Sequence, residues 1–72
     1  MTYAAIFERA NDGSWGAYVP DLPGVAIVGH TLDEVRAELP ALIAFHIEGL
    51  REEGGEVPPP TSIAESVTVA TA

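Results

Sequence analysis

One long amphipathic stretch, residues 31–53, constrains the fold of this chain more than any other part of the sequence. Thr31 and Glu34 have the spacing of a capping box, in which the hydroxyl accepts a hydrogen bond from the Glu34 amide and the carboxylate reaches back to the Thr31 amide. Apolar side chains and one histidine follow at intervals of three and four, which predicts a helix with a single buried face. They are Leu32, Val35, Leu39, Leu42, Ile43, His46, Ile47 and Leu50. Gly54 and Gly55 are typical of a helix C-terminus, so the helix is predicted over residues 32–53.

Pro40 is the one residue in this stretch that opposes a regular helix. Inside a helix, proline removes a hydrogen bond and clashes with the preceding turn, at a cost of about 3 kcal/mol or more. The apolar periodicity keeps its phase across the proline, which predicts either one kinked helix or two helices that meet at Leu39 and Pro40.

Three short strands are predicted before the helix, over residues 3–9, 15–19 and 25–28. Asn11-Asp12-Gly13-Ser14 lies between the first two and suits a tight hairpin, because Asn, Asp and Gly tolerate a positive φ. Pro20-Asp21-Leu22-Pro23-Gly24 separates the second strand from the third, since neither proline can donate a backbone hydrogen bond.

The sequence beyond the helix predicts one more strand. A proline-rich connector at residues 57–61 is stiff and extended, and it leads to a β-branched segment at residues 65–70. Because a strand, a helix and a strand in series favour a right-handed crossover, this strand is expected to lie parallel to one of the first three. The predicted fold is therefore α+β, a single domain of order β-β-β-α-β, with a small mixed sheet and one kinked helix packed on one face.

Self-association is predicted from the first strand and from the size of the chain. Tyr3, Ala5 and Phe7 lie on one face of that strand, and Ala4 and Ile6 lie on the other, so both faces are apolar. One helix covers only one face of a small sheet, and a chain of 72 residues without disulfides has little core of its own. A homodimer or homotetramer is therefore expected.

The charge of the chain excludes several classes of partner. Three basic residues stand against 11 acidic ones, which gives a net charge of −8. Phosphate backbones are bound chiefly by clustered Lys and Arg, so direct binding of nucleic acid is not expected, and an anionic membrane surface would repel the chain. The sequence has no cysteine, no signal peptide and no apolar run long enough to span a bilayer, in agreement with a cytoplasmic protein. A basic macromolecule is the natural electrostatic complement.

Few residues point to catalysis or to a cofactor. Neither histidine has a carboxylate at a recognised metal-ligand spacing; His46 is expected in the core or in an interface, and His30 in a solvated loop. No serine stands in a nucleophile elbow, and no glycine-rich loop opens a helix as a phosphate site does. No cofactor, metal or catalytic residue is predicted, and the chain is not expected to be an enzyme.

The acidic side chains of the helix allow two interpretations. They form a solvated face, or they form a surface that docks a basic partner by charge complementarity. The candidate partner-docking residues are Glu38, Glu48, Glu52 and Glu53. Trp15 and Tyr18 also leave two alternatives open, a contact within the core or between subunits, and a hot spot for a partner.

Two motifs, in their order and spacing, resemble the HicB family of antitoxins. The first is Pro20-Asp21-Leu22-Pro23-Gly24, and the second is Gly29-x-Thr31-x-x-Glu34. The segments around them continue the same pattern from Tyr3 to about Thr61. The resemblance implies a partially degenerate ribonuclease-H-like fold with the helix on one sheet face. It also implies that the motif residues serve mainly the fold; these are Pro20, Asp21, Leu22, Pro23, Gly24, Thr31 and Glu34.

The same resemblance implies an antitoxin domain of a type II toxin–antitoxin system. Such domains bind HicA, a small basic toxin that cleaves mRNA, and block its active surface. Full antitoxins of the family usually carry a C-terminal DNA-binding segment; this sequence ends after the predicted last strand, so operator binding is not expected. Two alternatives stay open, a solitary oligomeric binding module of unknown ligand and a metal-dependent nuclease. The second has only Glu65 as a carboxylate near the last strand, whereas two-metal chemistry needs several converging acids.

Overall fold

The computed structural model describes residues 1–71, which form three strands and one helix. In chain order these are β1 (Ile6–Arg9), β2 (Trp15–Tyr18), β3 (Ala26–Gly29) and α1 (Leu32–Glu52). The strands form an antiparallel meander with β2 in the centre, and α1 packs mainly across β2 and β3. The predicted α+β architecture with the helix on one sheet face is confirmed.

Asp12 organises the hairpin between β1 and β2. Its Oδ1 accepts hydrogen bonds from the Ser14 hydroxyl at 2.6 Å and from the Ser14 amide at 2.9 Å. The Ser14 hydroxyl, followed by the amide, holds the pKa of Asp12 below its usual value because both donors favour the carboxylate. Gly13 takes a φ of +89°, a conformation that side chains with a Cβ rarely adopt, so the hairpin predicted from these residues depends on the glycine.

Strand β1 is shorter than the sequence predicts. Its register pairs Ile6 with Tyr18, so residues 3–5 would face residues 19–21 of the other strand. Pro20 falls in that stretch and has no amide with which to continue the ladder. Pairing therefore starts at Ile6, although Tyr3 and Ala5 still pack against the core.

The core lies between α1 and the inner face of the sheet. Six side chains are buried there: Ala17, Val19, Leu22, Val25, Val35 and Leu39. Leu22 and Val35 are fully enclosed, with 0% of their surface exposed. The turn between β2 and β3 therefore contributes as much to the core as the regular elements do.

Helix α1 runs through Pro40 as one element, from Leu32 to Glu52. The alternative of two separate helices is therefore wrong. The helix ends one residue before the predicted limit, where Gly54 adopts a φ of +75° and its amide donates to the Arg51 carbonyl at 3.1 Å. The predicted glycine stop is confirmed, since only the left-handed region allows this reversal.

The strand predicted over residues 65–70 is not formed, and the crossover prediction is wrong with it. Residues 55–71 contain neither strand nor helix, so the sheet of the described chain is antiparallel throughout rather than mixed. β-branched alternation favours extended backbone, but a strand also needs a neighbouring edge with which to exchange hydrogen bonds. We call residues 63–71 the C-terminal arm. It is exposed along its length, and the radius of gyration is 14.3 Å, against about 11 Å for a compact domain of this length.

The outer face of the sheet is largely uncovered within the described chain. Val28 is 81% exposed and Tyr18 is 42% exposed, while the register places Ile6 opposite Tyr18 on the same face. This is the uncovered second face expected for a three-stranded sheet with one helix.

Candidate partner-docking surface

Hydrogen bonds on both sides of Thr31 fix the start of α1. Thr31 is the N-cap residue, and its Oγ1 accepts a hydrogen bond from the Glu34 amide at 3.1 Å. Glu34 Oε2 accepts from the His30 amide at 2.9 Å, one residue upstream of the Thr31 amide that the sequence predicts. The Glu34 side chain lies over Gly29, where a Cβ would be 3.5 Å from Oε2, and this position brings the carboxylate to His30. The hydroxyl half of the predicted capping box is confirmed, and the carboxylate half is corrected.

Three of the four candidate docking acids share the helix face opposite the core. At 100° per residue, Glu38, Glu48 and Glu52 fall within about 80° of one another around the helix axis. All three are exposed, and the ion pair found within residues 1–71 joins two other residues, Arg36 and Asp33. The charges of the three glutamates are therefore available to a partner. Glu53 is the C-cap residue and does not belong to this group.

Phe45 lies among these acids, and it is not among the candidate residues identified from the sequence. Its side chain is 77% exposed, and it stands three residues before Glu48 on the same face. Exposed aromatic side chains bordered by polar groups are typical anchors of protein–protein interfaces. The signal was present in the sequence, because position 45 is out of phase with the apolar stripe of the helix.

An open cleft of about 660 Å³ borders the same helix face. Met1, Ala44 and Ile47 form its apolar wall, and the polar lining comes from Glu48, Arg51 and Glu52. An arginine or lysine fits such a cleft, because its aliphatic stem packs on an apolar wall while its charged head pairs with carboxylates. We call Glu38, Phe45, Glu48 and Glu52, together with this cleft, the acidic helix face.

The proline-containing motif forms the turn between β2 and β3. The Leu22 amide donates to the Val19 carbonyl and the Val25 amide donates to the Leu22 carbonyl, both at 3.1 Å. Gly24 takes a φ of +92°, and a Cβ placed there would lie 3.7 Å from His46 Cε1. The half-buried His46 thus packs on this turn, whereas His30 is exposed.

Asp21 ties the chain beyond the helix to the same turn. Its Oδ2 accepts hydrogen bonds from the amides of Thr61 and Ser62, each at 2.8 Å. Its Oδ1 accepts from the two hydroxyls, at 3.1 Å and 2.8 Å. The Ser62 amide, followed by the Ser62 hydroxyl, holds the pKa of Asp21 below its usual value. We call this set the Asp21 clamp; it fixes the point from which the C-terminal arm leaves the body.

The Asp21 clamp is expected to open in acid. Because the folded-state pKa of Asp21 lies below its ordinary value of 3.8, the clamp is complete above about pH 4 and is lost as the pH falls through the folded pKa. Following the Thr61 and Ser62 amide resonances against pH should give a midpoint below 3.8. Asp21→Asn should abolish this titration. A midpoint at or above the ordinary value, or an unchanged titration in the variant, would contradict the assignment.

The remaining candidate residues are dispersed. Trp15 packs against the core from the inner face of the sheet, whereas Tyr18 is exposed on the outer face. Within residues 1–71, no group of three or more His, Cys, Asp or Glu side chains is placed to hold a metal ion. No helix in this described part is long and apolar enough to cross a membrane.

The chain matches one family model, and it is similar to two relatives and to one solved structure described below. The family model described as "HicB_like antitoxin of bacterial toxin-antitoxin system" matches residues 3–70. An uncharacterized 14.9 kDa protein from the rep-hol intergenic region of Haemophilus phage HP1 (strain HP1c1) is 37% identical over 67 residues, covering 93% of this chain and 50% of that protein. A UPF0150 protein of Synechocystis sp. is 32% identical over 65 residues, covering 90% of each chain. This chain therefore spans about half the length of the phage protein and most of the cyanobacterial one.

A chain from a solved "HicA3 and HicB3 toxin-antitoxin complex" has the same fold. It superposes with a TM-score of 0.67 at 31% sequence identity, covering 83% of this chain and 70% of that chain. The fold described above is thus shared with a protein solved as part of a toxin-antitoxin complex.

Proposed function

The chain belongs to the HicB-like antitoxin family, and from this premise we propose that it neutralises a basic HicA-type toxin by binding it on the acidic helix face. The similar chain in a solved HicA3 and HicB3 complex supports a toxin as the partner. The observation that carries the docking site is the exposure of Phe45 at 77% on the same helix face as Glu48 and Glu52.

Charge explains how such binding would block a toxin that acts on mRNA. A surface that holds RNA phosphates is built mainly from Lys and Arg side chains. Carboxylates on the acidic helix face compete with phosphates for those same cations, while Phe45 supplies an apolar anchor that phosphates cannot replace. The net charge of −8 adds attraction at longer range and accelerates the encounter.

Neutralisation by occupancy requires no catalytic group and no cofactor from this chain. We therefore propose that the protein acts as a binding partner rather than as an enzyme. Its proposed location is the cytoplasm, where a toxin that cleaves mRNA acts.

The test uses a HicA-type toxin encoded beside this gene, titrated with the purified chain. We expect binding, loss of RNA cleavage and rescue of growth on co-expression. Glu48→Arg should weaken binding at least about tenfold, as one well-placed charge contact does. Phe45→Ala should have an effect of similar size, as interface anchors do. Both side chains are exposed, so neither change should lower the free energy of unfolding by more than about 0.5 kcal/mol.

Glu8→Arg is the matched control. It changes the net charge by the same amount, but Glu8 is exposed on β1, away from the acidic helix face. We expect it to weaken binding by less than about threefold, since rim charges act mainly through long-range attraction. Equal losses in Glu8→Arg and Glu48→Arg would place docking elsewhere. Failure to bind or to restore growth would leave the stand-alone binding module as the better interpretation.

A further inference from the structure

The C-terminal arm has the pattern of a strand but no partner within residues 1–71. Ile63, Val67 and Val69 are 83%, 80% and 70% exposed. Since successive residues of an extended chain alternate, these three side chains share one face of the arm with Glu65. That face is aliphatic with a single carboxylate, whereas the opposite face carries small and hydroxyl-bearing residues. Small soluble proteins rarely leave such a strip open.

An acceptor for this strip exists beside β1. Strand β1 is at the edge of the sheet, and its ladder in the described chain is with β2 alone. Residues 62–66 run beside residues 2–7 without forming a ladder, so the other side of β1 still offers unpaired backbone groups. Between that edge and α1 runs an apolar groove of about 390 Å³. Its lining is apolar apart from one arginine: Met1, Tyr3, Ala5, Phe7, Arg36, Leu39, Pro40 and Ile43.

The arm and the groove match in chemistry. A strand added to the β1 edge would direct alternate side chains into the groove, and three of the four on the arm's apolar face are aliphatic. The fourth, Glu65, is a second carboxylate for Arg36, whose side chain is 61% exposed at the groove and pairs with Asp33 at 3.0 Å. The arm therefore carries apolar side chains that suit the groove and a carboxylate that suits Arg36.

The arm is not placed to fill the groove of its own chain. The Asp21 clamp and the proline-rich connector hold its root, and the Tyr3 hydroxyl donates to the Pro58 carbonyl at 2.5 Å. From there residues 64–66 run beside residues 5–7, separated from them by a cavity of about 340 Å³, and Val67 and Val69 still face solvent. Beyond Ser66 the arm therefore covers neither the β1 edge nor the groove of its own chain.

We propose that two copies of this chain exchange their C-terminal arms, each arm adding a strand to the β1 edge of the other copy with Val67 and Val69 in its groove. The exchange is reciprocal, as a two-fold symmetric dimer requires. It covers both arms and both open β1 edges in one step. It is independent of any toxin and is tested without one.

Light scattering during size exclusion measures the mass of the full chain directly. We expect twice 7.5 kDa at micromolar concentration for the native sequence. Val67→Asp buries a charge in the groove and should raise the dimer dissociation constant at least about 100-fold. The matched control is Thr68→Asp, which places the same charge on the opposite face of the arm and should leave the dimer intact. Val67 is 80% exposed within its own chain, so the variant should keep the native circular dichroism spectrum.

Two further experiments test whether the arm of one copy contacts the groove of the other: an exchange of the charges at positions 65 and 36, and isotope labelling. Glu65→Arg should weaken the dimer, and adding Arg36→Glu in the same chain should restore it. In a mixture of labelled and unlabelled chains, the methyl groups of Val67 should contact the Phe7 ring of the other copy. A monomeric native chain, a dimer that survives Val67→Asp, or Val67–Phe7 contacts within one copy would each overturn the proposal.

Discussion

Replacing Leu22 with alanine is expected to lower the free energy of unfolding by about 2–5 kcal/mol. The Leu22 side chain is 0% exposed, and it sits under a turn whose backbone is held by hydrogen bonds from Leu22 and Val25. Because that turn cannot collapse into the space left behind, the cost includes a cavity as well as the lost burial. Single domains are stabilised by only about 5–15 kcal/mol, and small ones lie at the low end of that range. The variant should therefore be largely unfolded or close to it.

Urea and thermal denaturation at one fixed protein concentration measure the effect of Leu22→Ala. For a domain of this size, each kcal/mol corresponds to about 4–8 °C in Tm. Val28→Ala is the control, since Val28 is 81% exposed on the outer face of the sheet, and its substitution should change stability by less than about 0.5 kcal/mol. Similar losses in the two variants would show that Leu22 does not anchor the core.

Replacing Pro40 with alanine is expected to stabilise the protein by about 1–2 kcal/mol. α1 is continuous through this position, so an alanine amide would donate to the Arg36 carbonyl and the ring clash with the preceding turn would disappear. Proline inside a helix is about 3 kcal/mol less favourable than alanine. Part of that difference is offset, because alanine frees the unfolded chain by about 0.4–1 kcal/mol and removes the ring from the groove beside β1.

Thermal denaturation of Pro40→Ala should show a rise in Tm of roughly 4–16 °C. Ala41→Gly tests whether helix formation at this point limits stability, and it should lower the free energy of unfolding by about 0.5–1 kcal/mol. If Pro40→Ala left the Tm unchanged or lowered it, the packing of the proline ring in the groove would outweigh the helical strain.

Local signals account for the elements that could be predicted from the sequence. The limits of α1 follow from Thr31 and Gly54, which act within one turn of the helix ends, and the first hairpin follows from Asp12 and Gly13. The fourth strand was predicted because alternation at residues 65–70 favours extended backbone. Alternation says nothing about which edge a strand pairs with. In the described chain this segment forms no ladder, although residues 64–66 run beside the β1 edge.

In the candidate site, too, the features that depend on neighbouring residues could be predicted, whereas a contact between residues far apart in the sequence could not. Periodicity alone places Glu38, Glu48 and Glu52 on one face of the helix. Phe45 was detectable as the aromatic residue out of phase, but periodicity does not indicate what an exposed side chain binds. The Asp21 clamp could not be predicted, because Asp21 and Thr61 are 40 residues apart and their contact depends on the complete fold.

Because the connections of the meander are short, they set the order in which the parts of this chain can fold during synthesis. Each strand pairs with the next in sequence, and α1 follows β3 after two residues, so the contacts of the body have small sequence separations and are expected to form quickly. Synthesis proceeds from the N-terminus, and the body can form once Glu52 has left the ribosome. The Asp21 clamp closes later, when Thr61 and Ser62 emerge, and the C-terminal arm follows it. The body therefore needs no second chain in order to fold, and a truncated product that lacks the arm should fold on its own.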